Sequence, residues 1–140
     1  MERIKRAYYY FFYKIHKVMI WTSYPFGNFF SKFRASLALI ALELWIVFTI
    51  ENCYEILNEV SPKSNSNSFI YIMGLSIIIF NYISLDYYDI VWKKYKEEFD
   101  QLPKRKNMIG GIIVWIIILF ITASFFFSTF YLHKINFGTY

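Results

Sequence analysis

Glu43 lies near the centre of an otherwise apolar run, Ala35 to Tyr54, that ends in Glu51 and Asn52. A carboxyl group in such surroundings costs about 3 kcal/mol to insert in a bilayer and faces a bundle interior or a wet cavity rather than lipid. Two uses fit it: an ion or proton relay lining a path, or a hydrogen-bonded strut holding helices together. Asn81 sits in a second apolar run, Phe69 to Leu85, at comparable depth. Its amide can donate to a carboxylate, which makes it the expected partner of Glu43.

Other chemistry-bearing residues are sparser. Glu51, Glu55 and Glu59 recur every four positions and would line one face of a helix continued beyond the first run. In an assembly they could form a cation-attracting vestibule; alone they are a solvated acidic face. Asp86 and Asp89 have a spacing that could hold a divalent metal beside a phosphate, but Lys93, Lys94 and Lys96 follow at once and fit a mixed-charge helix better. Cys53, His16 and His133 stand apart in sequence, so neither a metal-ligand set nor a Cys–His nucleophile can be read from them. No phosphate-binding loop, dinucleotide fingerprint or hydrolase motif is present. The expectation is a non-enzymatic protein without metal or cofactor.

The elements that must carry these residues follow from composition. Of 140 residues, 57% are apolar, 24% aromatic and only 18% charged. Soluble domains carry roughly a quarter charged residues, so this chain has too little polar surface to be one. A lone cysteine excludes a disulfide scaffold, and the apolar content excludes disorder. A helical crossing needs roughly 20 apolar residues. Three segments meet that need: residues 35–54, 69–85 and 109–132, the last without any charge.

The expected architecture is an all-α, multi-pass membrane protein with three transmembrane helices. Seven basic residues and one acidic residue give residues 1–34 a net +6, and residues 86–108 are basic too, whereas the 55–68 loop offers only Lys63. Lys and Arg favour the cytoplasmic side. The N-terminus and residues 86–108, read as a stalk, are therefore expected inside, with the 55–68 loop and the 133–140 tail outside. No signal peptide precedes the first span, which is expected to act as its own anchor.

Residues 3–21 are too charged to span and too aromatic to stay in water. On a helical projection Arg3, Arg6, Tyr10, Lys14 and Lys17 share one side, while Tyr8, Phe11, Phe12, Ile15, Val18 and Met19 cover much of the rest. This predicts an amphipathic helix lying in the headgroup plane, turned into the first span at Tyr24-Pro25-Phe26-Gly27-Asn28. Arg3, Arg6, Lys14 and Lys17, with Lys104, Arg105 and Lys106 before the third span, are the expected headgroup anchors. Because the charge is confined to membrane-flanking segments, no nucleic acid is expected as a partner. Ser124 and Ser128, with Gly110 and Gly111, let helices approach closely and point to a homo-oligomer. Residues 86–108 are a candidate surface for a protein partner.

The run Ala7 to Lys14 (AYYYFFYK), the segment Trp92 to Lys104 (WKKYKEEFDQLPK) and the Ile109-Gly110-Gly111 start of the third span resemble small multi-pass membrane proteins of Bacteroidetes-type bacteria. The resemblance implies a bacterial inner-membrane location and a place in a conflict or defence system, as a membrane effector or pore subunit. The other readings are an accessory or immunity protein that binds a partner, and a small channel or transporter using Glu43.

Overall fold

The computed structural model describes residues 1–22, 28–58, 67–87 and 89–138. Of these, 96% are helical and none is in a strand. Five α-helices follow one another: α1 (Glu2–Thr22), α2 (Asn28–Asn58), α3 (Asn67–Asn81), α4 (Asp89–Asp100) and α5 (Lys104–Phe137). A π-helical turn, Tyr82–Tyr87, continues α3. Three helical stretches are long and apolar enough to cross a membrane: Phe30–Asn58, Ser68–Leu85 and Lys104–Phe137. The chain is thus an all-helical protein of membrane-spanning type.

The helices overrun the bounds expected from hydropathy. Helix α2 begins at Asn28 and continues through Asn58, so Glu55 is helical rather than part of a loop. Helix α5 has 34 residues, roughly 50 Å at 1.5 Å per residue against a hydrocarbon core of about 30 Å. It runs through the expected external tail to Phe137, where Gly138 takes the left-handed φ of 57° and returns its N–H to the Lys134 carbonyl. Hydropathy marks where hydrocarbon stops, whereas a helix stops only where its backbone bonds can be closed another way. The expected turn at residues 24–27 and the centre of the 55–68 loop lie outside the described residues.

Helix α2 is the axis against which α1, α3 and α5 all pack. Helix α1 also packs on α4, and between them lies the most enclosed part of the molecule. Phe12, Tyr13, Leu85 and Phe99 are at most 1% exposed, and Tyr9 and Trp92 are nearly as buried. Trp92 meets Phe12 edge-on at 4.7 Å, Tyr95 stacks on Tyr9 at 4.8 Å, and Phe99 meets Tyr10 edge-on at 5.1 Å. Such edge-on and offset pairs satisfy the ring quadrupoles and bury large apolar areas. The segment expected to project as a stalk instead folds back on α1. Tyr8, Tyr9, Phe12 and Tyr13 meet protein side chains where a headgroup location was expected for this helix. The missed signal was the spacing Trp92, Tyr95, Phe99, which places three rings along one face of α4.

Candidate functional site

The end of α3 brings the polar residues of the first two apolar runs, Glu43 and Asn81, together. Asn81, only 2% exposed, donates through Nδ2 to Glu43 Oε2 at 2.5 Å and to the Ile77 carbonyl at 2.9 Å. Its Oδ1 accepts from Tyr8 Oη at 2.8 Å. One amide therefore joins three helices, α2, α3 and α1. Tyr8 was expected among the lipid-facing residues of α1. Its hydroxyl is instead the third member of the network, and its ring meets Phe80 edge-on at 5.7 Å. Burial, followed by the nearby Glu43 and Tyr9, pushes the Tyr8 hydroxyl well above its ordinary pKa, so it remains a donor at neutral pH.

The π turn beside this network has its own cap. Tyr9 Oη donates to the Ser84 carbonyl at 2.8 Å, and Leu85 of the same turn is fully buried. Widening a helix to i→i+5 frees a carbonyl for an outside donor, and α1 supplies that donor.

The basic side chains expected at headgroups divide. Arg6 pairs with Glu98 at 2.6 Å and Lys17 with Asp100 at 2.8 Å. Lys14 donates to the Asn107 carbonyl at 2.7 Å and also to the Asn107 side-chain oxygen. These three are tied to α4 and the start of α5, because α4 brings its own acids within their reach. Arg3, Lys104, Arg105 and Lys106 remain exposed. Burial would raise the Asp100 carboxyl, but bonds from Lys17 and Tyr13 outweigh it and hold it below the usual range. Lys32 and Lys93 both reach Asp89 at 2.8 Å and lower its pKa. The Asp86 side chain lies outside the described ones. Among the described residues no three His, Cys, Asp or Glu side chains gather as a metal set.

Gly110 and Gly111 receive side chains from α1. A Cβ on Gly110 would come within 2.7 Å of the Tyr10 ring, whose hydroxyl donates to Asn107, whereas one on Gly111 would meet Lys14 Nζ at 3.4 Å. Their close approach thus serves packing within the chain. Ser128 is 8% exposed and accepts from Asn52 Nδ2 at 3.2 Å, tying α5 to α2. Above this tie the two helices leave a groove of about 570 Å³, walled in part by Cys53, Ala123, Ser124 and Phe127. Glu51 and Glu55 are half-buried on α2, and Glu59 lies outside the described residues.

His16 is a buried residue that spacing could not interpret. It is 4% exposed, stacked near Phe12 and edge-on to Trp92, and its Nδ1 has no partner among the described residues. Burial, then the charges of Lys96, Lys32 and Lys17, lower its pKa to about 4 against a weak opposing effect of Asp100. It is neutral at physiological pH.

Comparison with protein families, with curated proteins and with solved structures returns no match to this chain.

Proposed function

We propose that this chain is a non-enzymatic protein of a bacterial inner membrane, N-terminus inside, that self-associates through its spans as a membrane effector or pore subunit, with a role in defence as the biological setting. The observation that carries this reading is the open flank of α5. Residues 109–132 carry no charge, yet among the described residues of this helix only Val114 and Ser128 are buried within the chain. The same helix borders the groove that the small side chains of Ala123 and Ser124 leave open. Small residues at such a surface allow a neighbouring helix to approach closely, which is how helices gain contact energy where lipid is as apolar as they are.

The Asn81 network supports the strut reading of Glu43 over the relay. Every polar atom of Asn81 already bonds within the chain, and a carboxylate held by such an amide orders three helices. A pore would then form between copies rather than through one. An accessory role through residues 86–108 has less support, since Trp92 and Phe99 are committed to α1.

Cys53 is exposed on the groove, which permits a direct test in membranes containing the full chain. Mild oxidation should give a covalent dimer that reductant reverses and that Cys53→Ser lacks. Vesicles loaded with a small ion should leak in proportion to a power of protein density above one. A protein that stays monomeric at every density and leaks nothing would overturn the reading.

A further inference from the structure

A groove of about 460 Å³ opens between the first turns of α1 and one side of α4. Residues distant in sequence converge on it: Arg3, Lys5 and Arg6 from α1 and Lys94 from α4. Arg6 is held by Glu98 at 2.6 Å. Arg3, Lys5 and Lys94 are exposed and form no ion pair among the described residues. One wall is apolar, made by Val91 and Tyr95. Tyr95 stacks on Tyr9, whose hydroxyl caps the Ser84 carbonyl in the π turn that continues α3. The groove is therefore one ring layer from the end of a membrane-spanning helix.

The chemistry of this groove is that of an anionic phosphodiester with polar substituents. Three free cations suit a phosphate, while Glu2 and Glu98 at the same mouth can accept from hydroxyl groups. A bare polyanion such as a nucleic acid would meet those two acids as repulsion. Met1, Ile4 and Ile90, sequence neighbours of the lining residues, are exposed apolar side chains. Basic residues interspersed with exposed apolar ones characterise contact with a lipid surface rather than with a soluble phosphate.

We propose that this groove binds the headgroup of an anionic phospholipid, its phosphate against Arg3, Lys5 and Lys94 and its hydroxyls toward Glu2 and Glu98. The site recognises a single lipid, in contrast to a diffuse basic stripe. It requires α4 to be packed on α1, because Lys94 reaches it only in that arrangement.

The test uses the full chain in neutral detergent micelles, followed by thermal unfolding. Dioctanoyl phosphatidylglycerol should raise the midpoint saturably, and added salt should weaken the effect. The triple variant Arg3→Gln, Lys5→Gln, Lys94→Gln should need about a hundredfold more of this lipid, each cation contributing several-fold. Arg6 is left in place because it pairs with Glu98, so the triple variant should unfold near the wild-type temperature without lipid. Should it not, Lys94→Gln alone must show about a fivefold weakening. An equal response to dioctanoyl phosphatidylcholine or phosphatidylethanolamine would overturn the proposal, as would an unchanged response in the variants. Glycerol phosphate acting at the same concentration as the lipid would also overturn it, assigning the groove to a soluble phosphate.

Discussion

Asn81 occupies a position where both side-chain polar atoms are bonded within the chain, so replacements there separate packing from bonding. Asn81→Ala leaves a half-buried carboxyl and a half-buried phenol without this partner and should cost about 1–3 kcal/mol. Tyr8→Phe removes one donor while keeping the ring on Phe80 and should cost about 1 kcal/mol. Thermal unfolding in micelles would compare them, and an unchanged midpoint in Tyr8→Phe would show that Tyr8 contributes through its ring alone. Glu43→Gln keeps an oxygen for the Asn81 amide, so it should be milder than Glu43→Ala. Equal losses of stability would remove the strut interpretation. His16 supplies a pH dependence. Its folded pKa of about 4 lies below the ordinary 6.5, so the unfolded chain takes up the proton first. Stability present above about pH 6.5 should fall as pH drops toward 4 and then level off on this account. Asp89 and Asp100, whose pKa values are lowered, lose their contribution only below the ordinary carboxylate value of 3.8, outside that window. His16→Phe should flatten the melting temperature between pH 6.5 and 4; an unchanged slope would place the titration elsewhere.

Helix α1 is held by its neighbours at several points, and the two glycines of α5 test one of them. The Tyr10 ring cannot easily yield to a new methyl at position 110, since it packs edge-on against Phe99 and bonds Asn107. Gly110→Ala should therefore cost about 1–3 kcal/mol. Gly111→Ala meets only the end of the Lys14 chain at 3.4 Å and should be nearly neutral. If both substitutions were harmless in micelles, α1 would not be docked on α5 through this contact. The exposed Arg6–Glu98 pair, by contrast, should contribute less than about 1 kcal/mol. Aromatic packing rather than surface ion pairing holds α1 and α4 together.

The molecule as a whole joins two regions of different character. An aromatic module of α1, α4 and the π turn is packed like the core of a soluble protein, whereas α3 and α5 show most of their apolar surface outward. Lipid covers such surface as well as protein does, so the proposed association would have to come from shape and small side chains rather than from hydrophobicity. Ser124→Trp would fill the α2–α5 groove. It should abolish Cys53 cross-linking and vesicle leakage together while leaving the monomer's melting temperature within a few degrees. Loss of cross-linking with undiminished leakage would separate conduction from this groove.

Three spans were legible in the sequence because the physics is one-dimensional: backbone groups in hydrocarbon must be satisfied locally, which only a continuous apolar helix allows. The pairing of Glu43 with Asn81 was legible for a related reason, since two costly polar groups at similar depth have few other partners. Neither the place of Tyr8 nor that of Lys94 follows from spacing. Each is decided by how α1 crosses elements far along the chain, and a helical projection of α1 cannot distinguish a ring facing lipid from a ring facing Trp92. Both surroundings are apolar, and only the tertiary structure, by packing α4 and α2 against that face, determines which rings are buried in protein, which cations are paired and which stay exposed.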